Sequence, residues 1–353
     1  MKRVGIDIFS GAGGLSLGAE MAGITMQYAI EINPSAAQTY KANHPNAEVI
    51  QDDIKTVDLR PHFKDSRPFI IMGGPPCQGF SLSNTRTRNM ENEKNFLFRE
   101  FVRMVQQLKP IWFVFENVSG IANMERGEVV KMIETEFREL GYKVKPKVLV
   151  ASDYGVPQHR DRFFLVGNSE GIDFEFPEPH NDVITVDEAI GDLPSLKNGD
   201  SFEELPYAVH EEQASEYARS MRKDSKVSRQ NYVSRNNDLA IERYTHIPQG
   251  GNWRDIPDWL MTNYADKSRC HSGIYRRLRA NQPSVVISNY RKSMLIHPTQ
   301  HRGLSVREAA RIQSFPDTFI FKGPISHIQQ QIGNAVPPLL AKAVVEQILS
   351  HYK

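Results

Sequence analysis

Short apolar runs alternate with helically spaced stretches through the first half of the chain. "RVGIDIF" (3–9), "MQYAIEI" (26–32), "PFIIMGG" (68–74) and "IWFVFEN" (111–117) have continuous apolar centres, as strands buried on both faces do. Between them "GLSLGAEMAG" (14–23), "PSAAQTYKANH" (34–44, with Pro34 in the first turn) and "NFLFREFVRMVQQLK" (95–109) read as helices. "EVVKMIETEFREL" (128–140) adds an amphipathic helix ending at Gly141, and "KVKPKVLVAS" (143–152) with "RFFLVGN" (162–168) predicts two late strands. Alternating strands and helices predict an α/β fold with a doubly wound, mostly parallel sheet.

After about Phe176 the period is lost. "DLPSLKNGDSFEELP" and "IPQGGNWRDIPDW" are rich in Pro, Gly and Asn. They predict a smaller, loop-rich domain over 181–303. Helical spacing returns in "LSVREAARIQSFP" (304–316) and "AVPPLLAKAVVEQILSHYK" (335–353). The expected organisation is therefore 1–180 plus 304–353 as one domain and 181–303 as the other.

Charge changes this picture more than composition does. The 353 residues carry a net charge of only +1. Between Tyr207 and Arg302, however, 16 Lys/Arg face 9 Asp/Glu, leaving the remainder acidic. A basic segment in an acidic body is the footprint of a polyanion-binding surface; the alternative is a solvated polar face. Two cysteines far apart make no disulfide framework and point to a reducing, cytoplasmic setting. No apolar run reaches membrane-spanning length, the N-terminus does not read as a secretory signal, and no Cys/His cluster has zinc spacing, so neither membrane nor metal is expected.

The candidate chemistry gathers at the expected carboxyl ends of the strands. "DIFSGAGGLSLG" (7–18) turns tightly after the first strand, where backbone can meet a ligand, although Ser16 breaks the dinucleotide fingerprint. Glu31 ends the second strand and "QDDI" (51–54) the third, so a turn and two acids line the crevice where nucleoside cofactors sit. "GGPPCQGFS" (73–81) follows the fourth strand. Proline and glycine fix the backbone just before Cys77, which is either a mounted nucleophile or a small buried hydrophobe. Glu116, in the fifth strand, is either a cap or an acid held in a low dielectric. In "YGVPQHRDRFF" (154–164), Gln158, Arg160 and Arg162 alternate and would share one face of an extended segment, suiting a phosphate or a planar polar base; the alternative is a charged edge strand.

In order and spacing, "DIFSGAGG", "GGPPCQGFS", "FENV", "QHRDR" and "QIGNAVPP" resemble the cytosine-C5 DNA methyltransferases of restriction–modification systems. The resemblance covers 3–178 and about 283–345, and is weak over 181–282, where that family's variable target-recognition domain falls. It implies S-adenosylmethionine as cofactor. Phe9 would stack on the adenine, Ser10, Gly11, Ala12, Gly13, Gly14 and Leu15 would wrap the methionine part, and Glu31 would hold the ribose. Ile32, Asp53, Ile54, Pro76 and Leu97 would line the same pocket, and Asn334 and Ala335 would close it.

The resemblance further implies that Cys77 adds to C6 of a flipped-out cytosine while Glu116 assists at N3. Arg160 and Arg162 would hold the base and adjacent phosphate. "SLSNTRTRNMENEKN" (81–95) reads either as a disordered surface loop or, the preferred reading, as a mobile lid beginning at Ser81 and touching phosphates through Arg86 and Arg88. Gln158, Arg276, Arg277 and Arg291 are further candidates for DNA contact, whereas Cys270 reads as structural. The expected partner is double-stranded DNA, with a cognate endonuclease acting separately and the chain itself a monomer. A tRNA-modifying relative is the alternative within the fold. A nicotinamide-dependent oxidoreductase is disfavoured by the broken glycine fingerprint, and a silent DNA-binding regulator by the intact Cys77, Glu116, Arg160 and Arg162.

Overall fold

The computed structural model describes residues 3–64, 66–76, 96–180, 182–261 and 273–352. The chain divides into two compact units. One comprises Met1–Tyr154, Asp161–Pro179 and Val336–Lys353; the other comprises Gly155–Arg160 and His180–Ala335. Residues 304–335, expected with the first domain, thus fall in the second unit, as does the short piece 155–160.

The first unit begins β1 (Val4–Ile8), α1 (Gly14–Met21), β2 (Thr25–Ile30), α2 (Pro34–Asn43), β3 (Glu48–Ile50) and β4 (Ile70–Gly73). It continues with α3 (Phe96–Leu108), β5 (Trp112–Val118), α4 (Glu128–Glu139), β6 (Lys143–Val150) and β7 (Asp161–Asn168). The strands form one sheet in the order β3-β2-β1-β4-β5-β7-β6. β1 to β5 run parallel, and β7 runs antiparallel to both neighbours. β6 is an edge strand, which is where Pro146, lacking an amide donor, can be accommodated.

The order reverses between β1 and β4, which makes their carboxyl ends the switch point at which such sheets take ligands. On one face, Ile6, Ile8, Ile71, Phe113 and Phe115 join Phe101 and Met104 of α3 and Phe137 of α4 in a continuous core. Phe113 stacks on Phe137 at 4.1 Å between ring centroids.

The second unit contains α5 (Val186–Ile190), β8 (Ser201–Leu205), α6 (Glu216–Arg222), β9 (Ser228–Tyr232), α7 (Asp238–Thr245), α8 (Val306–Ile312) and α9 (Ile325–Asn334). β8 and β9 pair antiparallel. Four of these helices lie outside the stretches expected to be helical. Buried ion pairs hold the unit together. Arg311 bonds Asp317 at 2.6 Å and Asp192 at 3.1 Å, and Arg222 bonds the same Asp192 at 2.7 Å. α8 stops at Ile312, short of the expected Pro316, because Ser314 takes a left-handed backbone (φ +62°).

α10 (Pro338–Ser350) returns to the first unit and packs on α1, as the sequence led us to expect of the tail. A Cβ on Gly18 would meet Pro338 O and Ala341 Cβ, so the bare backbone of α1 sets how closely the helices approach. Among the described residues no helix is long and apolar enough to cross a membrane.

Candidate active site

The turn after β1 is built from left-handed backbone. Gly11 and Gly13 have φ of +55° and +94°, and Phe9, with a side chain, holds +64°. A Cβ on Gly13 would run into the His44 imidazole. Glu31, one residue past β2, ties the turn in place: its carboxylate accepts the amides of Gly11 and Asn33, both at 2.7 Å. Burial raises the Glu31 pKa, and these backbone donors pull it back.

Beneath the turn lies a carboxylate that sequence reasoning missed. Asp7, in β1, is 1 % exposed. It accepts from Ser16 Oγ at 2.5 Å, and Ser16 in turn accepts from Tyr40 OH at 2.8 Å. Burial lifts Asp7 to about 7, with Glu31 and Glu116 adding to the rise. The only outward signal was an acid inside an otherwise apolar strand. Asp7 Oδ1 and Ser10 Oγ are buried with no hydrogen-bond partner among the described residues.

Around the turn, Ala12, Leu15 and Ile54 are buried, Asp53 and Leu97 partly so, and Pro76 is exposed. Ile32 presents an exposed apolar face (67 %). Unsatisfied acceptors, a half-buried acid and an open apolar face fit a cationic nucleoside carrying hydroxyls.

The second cluster centres on Glu116 in β5, 7 % exposed. Its Oε1 pairs with Arg162 Nε at 2.8 Å, from the facing strand β7. Burial lowers the Arg162 pKa while Glu116 works against that fall. The glycines of "GGPP" have a steric cause here. A Cβ on Gly73 would strike Ile8 O of β1, and one on Gly74 would meet Glu116 Oε2 at 2.5 Å. Asn117 Nδ2 donates to Pro75 O at 2.9 Å, so β5 also fixes the main chain two residues before Cys77. Asn117 was not singled out from sequence either. Cys77, Ser81, Arg86, Arg88 and Cys270 lie outside the described residues.

In the second unit three of the expected contact residues are buried. Arg160 is 1 % exposed; it donates to Ile287 O at 2.7 Å, Gly333 O at 2.6 Å and Ala335 O at 3.3 Å. Its guanidinium therefore clamps three backbone carbonyls within the unit. Gln158, fully buried, bonds Gln313 and the amide of Ile287, so its side chain is engaged within the unit. Arg277, 3 % exposed, is bonded to the carbonyls of Tyr244, Ile247, His297 and Gln300, so its guanidinium is likewise engaged within the unit. Arg276 is half-buried and Arg291 exposed, so both keep accessible side chains. Asn334 is the last residue of α9, and Ala335 follows it beside the Arg160 clamp.

The family model for C-5 cytosine-specific DNA methylases matches residues 4–350. The type II methyltransferase M1.HphI of Haemophilus parahaemolyticus is 38 % identical over 99 % of this chain and 87 % of its own length. M.DdeI of Desulfomicrobium norvegicum is 37 % identical over 99 % and 89 %. A prophage-encoded protein of Escherichia coli, named as a DNA modification methyltransferase, superposes with a TM-score of 0.79 at 26 % identity, covering 98 % of both chains.

Proposed function

The chain belongs to the C-5 cytosine-specific DNA methylase family and is a DNA methyltransferase of the restriction–modification type; on that footing we propose that it methylates a cytosine turned out of a specific duplex sequence, through a covalent bond between Cys77 and C6. The observation that carries this reading is the buried Glu116–Arg162 pair set directly against Gly74, three residues before Cys77. An acid, an orienting cation and a fixed approach to a thiol are the parts that nucleophilic addition to an unreactive ring requires.

Family membership implies S-adenosylmethionine as methyl donor. When bound, it supplies an electrophilic methyl group for C5. Phe9, Ser10 to Leu15, Glu31, Ile32, Asp53, Ile54, Pro76 and Leu97 would hold it, and the family resemblance adds Asn334, the last residue of α9, and Ala335. Glu31 and Glu116 act electrostatically on Asp7, and negative charge on these carboxyl groups would favour the positive charge of the donor.

The chain's own residues do the rest. The Cys77 thiolate forms the C–S bond at C6. Glu116 donates a hydrogen bond or proton to N3, so the ring nitrogen accepts the displaced electron pair. Arg162 holds the Glu116 carboxyl in place. After methylation, loss of the C5 proton to a base restores the double bond and expels Cys77 as thiolate. A base inside the stack cannot be reached from both faces, so the cytosine must be flipped out. The basic second unit would choose the sequence, and the 81–95 segment would close over the base. A separately acting endonuclease and a monomeric enzyme belong to the same reading.

The test uses a duplex with 5-fluorocytosine at the target, located beforehand by bisulfite sequencing of DNA from cells expressing the chain. Fluorine cannot leave as a proton, so elimination stops. The expected result is an adduct stable to detergent, formed only with cofactor and mapping to Cys77. If ordinary DNA is methylated but the fluorinated duplex gives no adduct, the covalent route is wrong. Labelled methyl appearing on tRNA and not on DNA would favour the tRNA alternative.

Glu31→Ala is a second check. It removes the charged acceptor of two backbone amides and the group assigned to the ribose. Hydrogen bonds to charged groups contribute about 1.5–3 kcal/mol. Cofactor affinity by calorimetry is expected to fall about 10- to 100-fold with the circular dichroism spectrum kept. Unchanged affinity would remove Glu31 from the cofactor site.

A further inference from the structure

Two arginines on one stretch of the second unit meet opposite fates. Arg277 is spent on backbone carbonyls, and its burial fixes the main chain around it. Gly250 N donates to Arg277 O at 3.0 Å, Arg277 N to Gly251 O at 3.1 Å, and Ala280 N to Gln249 Oε1 at 2.9 Å. Residues 277–280 are thereby laced to 249–251. Arg279, two residues on, is exposed.

The Arg279 guanidinium rests on Gly250. A Cβ at Gly250 would collide with Arg279 Nε and lie 2.8 Å from Cζ and 2.9 Å from Nη2. Gly250 also has φ +79°, a backbone that side chains disfavour. Arg279 Nη1 is 3.4 Å from Gln282 Oε1, so a second exposed side chain orients the fork. Beyond it the chain is locked again: Gln158 takes the amide of Ile287 and Arg160 its carbonyl. A long, flexible side chain is thus shown to solvent on a rigid frame with its head already placed.

We propose that Arg279 is a specificity-determining residue that reads the O6/N7 edge of a guanine in the recognition sequence; this rests on the reading of the second unit as the target-recognition part. A guanidinium matches that edge with two parallel donors, and fixing its plane lowers the entropy lost on contact. A phosphate can also take both donors of a guanidinium, but it accepts the point charge of a lysine, whereas the guanine edge needs the two parallel donors. The glycine shelf and the Gln282 contact set the plane of the guanidinium, which is what a paired contact to a base edge uses. Neither Arg277, which is buried, nor the net charge of the segment could have pointed to this residue from sequence.

The experiment methylates a randomised duplex library and reads it by bisulfite sequencing, for the wild type, Arg279→Ala, Arg279→Lys and Gly250→Ala. The wild type is expected to require guanine at one position. Arg279→Ala should relax that position alone, with discrimination falling about 10- to 100-fold, and Arg279→Lys should not restore it. Gly250→Ala keeps the arginine but pushes its head aside, so it should relax the same position. Uniformly weaker methylation of every sequence, rescued by lysine, would overturn the proposal in favour of a phosphate contact. So would unchanged preferences in Arg279→Ala. A wild type that methylates nothing in the library would instead count against the function proposed above, and would be seen before any variant is read.

Discussion

Glu116→Gln is expected to lower the single-turnover methylation rate by about 10²- to 10⁴-fold, the range for losing a positioned acid, while S-adenosylmethionine binds as before. Gln has nearly the shape of Glu, so it fits against Gly74, and its carbonyl can still accept from Arg162. What it lacks is a proton to give. It also leaves Arg162 without a countercharge in a place where the pair is nearly buried, its side chains each 10 % exposed. Removing one partner of a buried pair costs about 3–5 kcal/mol. Rates must therefore be compared well below the melting temperature of the variant. Arg162→Lys is the companion. It retains charge but not the planar donor that meets Oε1, and should fall between the two. Glu116→Gln within threefold of the wild-type rate would take Glu116 out of the chemistry. An equal loss of cofactor affinity would make it a structural residue of the cofactor crevice.

What the sequence disclosed follows from how local each cause is. β1, β4 and β5 were legible because strands buried on both faces must be apolar throughout, and the crevice residues were legible because they follow those strands directly. Glu31 shows the limit. Its place after β2 could be read, but not that it would brace the turn through Gly11 N. The second unit was largely illegible. α5, α6 and α7 are 5, 7 and 8 residues long, too short to display a period, and are started by side-chain caps at Thr185, Ser215 and Asn237. They are held by partners remote in sequence, as Asp192 is by Arg311. The same remoteness hid the clamps. Arg160 meets a carbonyl 127 residues away and Gln158 a glutamine 155 away, so alternation along "QHRDR" could not distinguish an arginine facing a ligand from one buried in the scaffold. Arg162 could be placed only once β5 and β7 were seen to be neighbours.

Asp7→Asn is expected to reverse in sign with pH. With a pKa near 7 when folded and 3.8 in its ordinary state, Asp7 keeps its proton in the native protein over a range where the unfolded chain has released it. The native state then binds more protons, so stability falls as pH rises. The contribution is fully present below about pH 4 and gone above about pH 7. A difference of about three in pKa is worth about 4 kcal/mol, an upper figure for the swing. Asn has no such proton. At low pH it has only a cost, because its amide would point where Asp7 Oδ1 finds no partner among the described residues, and an unmet buried donor costs about 1–3 kcal/mol. Urea unfolding should therefore find the variant less stable than the wild type at pH 4.5 and more stable at pH 8. Parallel curves would mean that Asp7 ionises normally. The same ionisation touches function. A cationic cofactor favours the carboxylate, so wild-type affinity should rise with pH between 5 and 8, and the Asn variant should lose that part of the rise. If it keeps the whole rise, the pH dependence originates in Glu31 or elsewhere in the crevice, and Asp7 serves only to anchor Ser16 and Tyr40 beneath the turn.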